Sequence, residues 1–163
     1  MIEIKRNALD VIYRFVDNIQ LNKITDPIVR KLILKLVIEG KKSAENAEKD
    51  IVEIRNKFFN DFKNEDLNAF QEGLNNLTAL YRENKIKEAL ELDHDMTEKY
   101  PEITKAHQGF SQALAELEEE PITINIEPVS MDAFIDAMVG QNVELTGRQL
   151  DMLSPIFENE PES

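Results

Sequence analysis

Apolar residues recur along this chain with two different periods. Residues 2–5, Ile-Glu-Ile-Lys, alternate apolar and polar, which predicts a short half-buried strand. Leu9, Ile12, Tyr13, Val16 and Ile19 then step by three and four, predicting a helix over 7–20. Thr25-Asp26-Pro27 is a helix start, because Asp26 can accept from free backbone N–H groups and Pro27 suits the first helical position. Ile33, Val37, Gly40, Ala44, Ala47, Ile51, Ile54 and Phe58 follow at alternating steps of four and three, a heptad seam of coiled-coil type. A helix from 27 to 60 would be roughly 50 Å long. Val29, Leu32, Leu36 and Ile38 lie off that seam and predict a second buried face.

Asn60 to Asn64 is rich in turn formers, with Asn64 placed to cap the next helix and Glu65 and Asp66 suited to its positive end. Leu67, Phe70, Leu74, Leu77 and Tyr81 form a matching seam, so helices 27–60 and 66–100 are predicted to pair as an antiparallel hairpin. The seam shifts phase near Asn84, and Pro101 ends or kinks the helix before another at 102–119. Ile122 to Glu127 alternates strictly and predicts a strand, expected to pair with residues 2–5. A helix over 131–139 ended by Gly140, a short strand at Val143–Leu145 and a capping box at Thr146–Gln149 complete the tail. The fold class is therefore mainly α: a long antiparallel helical hairpin or bundle with a small β element formed by the N-terminus and residues 122–127. The expected division is a helical domain at 1–120, a strand–helix tail at 121–157 and a disordered acidic tail at 158–163.

Composition narrows the chemistry. The 163 residues include no cysteine, two histidines and five glycines, none of these in a Gly-x-Gly pair. Disulfide frameworks, thiolate zinc sites and phosphate-cradling glycine loops are excluded. No apolar run follows the basic residues near Met1, and no stretch reaches the length of a membrane span, so a cytoplasmic protein is expected. The net charge of -13 is unevenly spread. Residues 1–60 hold 12 basic and 9 acidic side chains, whereas 61–163 hold 7 and 23. The basic excess lies between Lys23 and Lys42. A polybasic helix could track phosphates, but the stretch reads more simply as a solvated face or as one that meets the acidic half of the same chain. The acidic remainder would repel nucleic acid and anionic membrane, so neither is expected as a partner.

Two carboxylate motifs are candidate metal sites. Glu91-Leu92-Asp93-His94 puts a carboxylate and an imidazole on one helix face, as di-iron bundles do twice, but His107 has no acid at the matching offset. Glu45 and Glu48 form a Glu-x-x-Glu pair of the kind helical pyrophosphohydrolases use for magnesium, without the downstream Glu-x-x-Asp between 60 and 110. Both read more simply as solvated helix faces, and no catalytic set or cofactor is expected. For interaction, the small residues Gly40, Ala44 and Ala47 would admit a close helix, and Phe59 lies off the seam where an interface residue would stand.

The stretches Glu119-Glu120-Pro121-Ile122-Thr123-Ile124-Asn125-Ile126-Glu127-Pro128-Val129-Ser130 and Leu145-Thr146-Gly147-Arg148-Gln149-Leu150-Asp151-Met152-Leu153-Ser154-Pro155-Ile156-Phe157, behind the opening Ile-Glu-Ile-Lys, resemble small phage- and prophage-encoded proteins of unknown function. The resemblance implies a virion assembly or accessory role in a bacterial host and brings no catalytic residues. The reading is a non-enzymatic helical interaction protein, acting as a homodimer or with a protein partner. The alternatives are a metal-dependent helical hydrolase and an acidic inhibitor that mimics nucleic acid.

Overall fold

A computed structural model describes residues 1–159; the part of the expected acidic tail at 160–163 lies outside the described residues. The described chain is mainly helical, with a two-stranded antiparallel sheet. In order it comprises β1 (Ile2–Lys5), α1 (Arg6–Asp17), α2 (Pro27–Phe59), α3 (Asn64–Arg82), α4 (Ile86–Lys99), α5 (Pro101–Glu119), β2 (Pro121–Ile124), α6 (Met131–Val139) and α7 (Gly147–Met152). Short 3-10 turns occupy Leu21–Lys23 and Ser154–Ile156. The residues divide into two compact units, Met1–Glu48 with Glu116–Ser163, and Lys49–Ala115. The first unit therefore joins both ends of the chain, and the strand–helix tail shares its core.

The two predicted strands pair, with Ile2 opposite Ile124 and Lys5 opposite Pro121. The second is shorter than the alternation suggested: it ends at Ile124, although Ile126 is fully buried. Pro121 has no N–H to donate, which suits the first position of an edge strand. Beyond Glu127 the tail is tied differently. Val129 N donates to Ile156 O and Glu158 N donates to Val129 O, so Glu158 is anchored. Around the sheet, Leu9, Ile12 and Val16 of α1, Val29, Leu32, Ile33 and Leu36 of α2, Phe134 and Met138 of α6, and Leu153 and Ile156 form one core. Of the four off-seam residues of α2, three are buried, whereas Ile38 is exposed.

In the second unit α3 and α4 form a helical hairpin, whose core is Phe70, Met96 and Ile103 with Phe62, Leu67, Leu74, Leu92 and Tyr100 packed on it. The predicted 27–60/66–100 pairing is corrected here in two respects. Ile33 and Val37 pack into the core of the first unit, because a heptad spacing marks a buried stripe without specifying its partner. The second long helix is also cut at 83–85. Asn84 takes a left-handed φ of 58°, Asn84 N donates to Tyr81 O, and Lys85 N donates to Leu80 O. That is a Schellman closure with asparagine in the position glycine usually fills. Asn142 (φ 58°) closes α6 in the same way, with Asn142 N donating to Val139 O and Val143 N to Met138 O. Gly140, expected to end α6, is right-handed. Val143–Leu145 is irregular chain rather than a strand, and Lys63, not Asn64, occupies the cap position of α3.

The expected caps elsewhere form. Asp26 Oδ1 accepts from Ile28 N at 2.8 Å and Val29 N at 3.1 Å. Ser130 Oγ accepts from Ala133 N, and Thr146 and Gln149 make a complete capping box.

Candidate functional site

The middle of α2 carries the small residues expected to admit a helix. Gly40 is buried, and a Cβ there would lie 2.5 Å from both Cβ and Cγ of Tyr13. The helix that comes close is therefore α1 of the same chain, and Gly40 is spent on internal packing. Ala44 and Ala47 are half-buried. One turn from Gly40, Ser43 O accepts from the Arg6 guanidinium at 3.5 Å, while Arg6 Nη2 pairs with Glu120 at 2.8 Å. Arg6, Glu39, Lys42, Ser43, Asn46 and Thr123 line a groove of about 300 Å³ beside β2. Its charged lining is Arg6, Glu39 and Lys42, so the groove is polar and carries charges of both signs.

Phe59 is half-buried rather than exposed. Its ring stands edge-on to Phe110 with centroids 5.4 Å apart, and the Arg55 guanidinium lies 5.8 Å from the Phe110 centroid. Phe59, Phe70, His107, Phe110, Arg55 and Leu67 line a groove of about 330 Å³ in the second unit. His107 packs against the Phe70 ring at 5.7 Å, an apolar contact of the imidazole.

The carboxylate candidates stay at the surface. His94 Nε2 lies 3.2 Å from Glu98 Oε1, both side chains about 70% exposed, and Glu91 is exposed one turn earlier on α4. Glu45 and Glu48 are exposed on α2. Among the described residues no three His, Asp or Glu side chains gather where a metal ion would be held. No helix among them is long and apolar enough to cross a membrane.

What sequence reasoning missed is the solvent side of the helices. Ile28, Leu34 and Ile38 of α2 are exposed, as are Tyr81, Ile86 and Leu90 around the α3–α4 turn. Ile86 and Leu90 are one turn apart on one face of α4. The available signal was the spacing of Leu34 and Ile38 about 200° of helical rotation away from Leu36. In the tail, Ile135, Val139, Val143, Leu145 and Leu150 line an apolar groove of about 500 Å³. No family model matches the sequence, and no curated protein or solved structure matches it.

Proposed function

We propose that this chain is a helical interaction protein that works by binding another polypeptide, either a second copy or a protein partner, rather than by catalysis. The observation that supports the reading is the grouping of large apolar side chains on solvent-facing helix surfaces. Single exposed aliphatics are ordinary, but grouped ones mark places where a second surface removes them from water. Leu90 is 58% exposed, with Ile86 one turn before it and Tyr81 at the end of the preceding helix. The likeness of the tail to phage and prophage proteins supplies the setting, virion assembly or an accessory role in the bacterial cytoplasm.

Two measurements test this. A photo-crosslinking residue is placed at Leu90, and at the exposed polar Glu72 as control, in cells expressing the chain from its own gene. The reading expects a discrete adduct from position 90 alone. Sedimentation equilibrium at micromolar concentration then separates the two partner classes, since a homodimer shows twice the 18.8 kDa chain mass. A single 18.8 kDa species that forms no adduct from position 90 would overturn the reading.

A further inference from the structure

The first half of α2 has two faces of different chemistry. Val29, Leu32, Ile33, Leu36 and Gly40 enter the core of the first unit. Outside that buried stripe, Ile28 on its flank is 67% exposed, and Leu34 and Ile38 on the far side are 47% and 55% exposed. Lys31, Lys41 and Lys42 are exposed among them and Lys35 is half-buried beside them. Ile28, Lys31, Lys35, Ile38 and Lys42 step by three, four, three and four, so they form one stripe along the helix, with Leu34 and Lys41 on its flank. The stripe spans about 21 Å, roughly four turns. Glu39 borders it, and Glu45 closes its far end.

We infer that this stripe is a docking face for an acidic amphipathic helix of another protein. The inference rests on the interaction reading above and names the class of partner. Charge decides the occupant. In a chain of net charge -13, four lysines interleave with three exposed aliphatics on one helix face. A partner helix with Leu or Ile at a three- and four-residue spacing covers Ile28, Leu34 and Ile38. Its flanking Glu or Asp side chains then meet Lys31, Lys35 and Lys42. A second copy of the same stripe is disfavoured, because two-fold pairing sets lysines against lysines. An anionic membrane is disfavoured too: the stripe has no aromatic anchor, and the rest of the chain repels a negative surface.

The test uses the full chain and a fluorescent helical peptide of about four turns carrying Leu and Glu at that spacing. A second peptide has every Glu replaced by Lys. The third arm is vesicles of phosphatidylcholine and phosphatidylserine in equal parts. The expected result is saturable binding of the acidic peptide only. Leu34→Ser with Ile38→Ser should weaken it by at least about tenfold, equivalent to 1.4 kcal/mol. Lys31→Glu with Lys42→Glu should exchange the preference, so that the lysine peptide binds and the acidic one does not. All four positions are exposed, and an unchanged thermal melt confirms that each variant folds. Equal binding of both peptides, no binding of either, insensitivity to both variants, or vesicle binding in place of peptide binding would each overturn the proposal. Loss of this proposal with a photo-adduct still forming at position 90 leaves the interaction reading in place; loss of both removes it.

Discussion

The two units bury their side chains in different ways. In the first, a two-stranded sheet, α1, half of α2 and the tail close around a core whose members come from both ends of the sequence. Most of its large residues, Phe134, Leu9, Ile12 and Ile156 among them, are wholly hidden. In the second, helices alone supply the core cluster of Phe70, Met96 and Ile103, each of which keeps some exposure, and the wholly buried Ala89 is a small side chain. The difference is geometric. A helix presents one stripe, so a few helices shield a narrow line of side chains, whereas a sheet capped by helices and irregular chain encloses a volume. Free energy should follow that difference, with the second unit opening locally more often.

The strongest way to break this comparison is to truncate one phenylalanine in each unit. Phe134→Ala removes a wholly buried ring that stands edge-on to Phe157 at 5.5 Å, and should cost about 3–5 kcal/mol of stability. Phe70→Ala leaves a site already 7% exposed that water can enter, and should cost about 2–3 kcal/mol. Chemical denaturation followed by hydrogen exchange would check both. Equal costs would show that the second core is as closed as the first.

Glycine sharpens the same contrast. At Gly40 an added Cβ meets Tyr13 Cβ and Cγ at 2.5 Å, atoms fixed close to the α1 backbone. Gly40→Ala should therefore destabilise by about 1–3 kcal/mol, even though alanine gains about 1 kcal/mol of helix propensity. At Gly73 the nearest atoms are Sδ and Cε of Met96, 2.6 and 2.7 Å away, the far end of a flexible chain. Gly73→Ala should be neutral or stabilising, because Met96 can turn aside and the propensity gain remains. Thermal melts of the two variants should move in opposite directions or leave only Gly40→Ala shifted.

Much of this was legible beforehand, and the reasons are local. Asp26-Pro27, Ser130 and Thr146 start helices through side-chain bonds to their own first turns, and both strands carry their alternation in four residues. What was not legible depends on partners distant in sequence. The heptad seam of α2 is real as a buried stripe, but Ile33 and Ile51 belong to different units. Gly40 looked like an invitation to another molecule until Tyr13 filled it. The two helix closures at Asn84 and Asn142 were hidden because asparagine is only an occasional left-handed residue. Among the described residues neither candidate metal motif gathers a third ligand, because one helix face brings two together and the remainder must come from elsewhere. The end of α5 clasps the N-terminus, which no local pattern announces: Asn7 Nδ2 donates to Glu119, and Arg6 N donates to Glu120 O.

A smaller test concerns the tail alone. Thr146 accepts from Gln149 N at 3.2 Å while Gln149 Oε1 accepts from Thr146 N at 2.9 Å. Thr146→Ala removes one half of that box and should cost about 1 kcal/mol. Because α7 is only six residues long, the loss should appear as faster amide exchange over 147–152. Unchanged exchange there would show that Leu153 and Ile156, both fully buried, hold the turn without its cap.

The smallest expected effect is electrostatic, and its pH dependence runs in opposite directions in the two units. The Lys5 ammonium donates to Glu119 and holds its carboxyl below the usual carboxylate range, with Asn7 adding a weaker bond. A carboxyl whose pKa is lower in the folded chain stabilises at neutral pH, and that contribution is lost as pH falls through the lowered value. In the second unit, a hydrogen bond from Lys85 to Glu83 at 2.7 Å raises the lysine above its usual value, assisted by the charges of Glu83 and Glu88. This contribution is complete at neutral pH and is lost as pH rises past the raised value. Both pairs are solvent-exposed, so each effect should be slight and should shrink further in salt. Comparing Glu119→Gln with the parent, the small gap in melting temperature at neutral pH should close on acidification. For Glu83→Gln the corresponding gap should be present at neutral pH and close in alkali. A gap that widens in acid for Glu119→Gln would mean that Lys5 does not hold the carboxylate, and that the clasp between the N-terminal strand and the end of α5 rests on the Arg6–Glu120 and Asn7–Glu119 contacts.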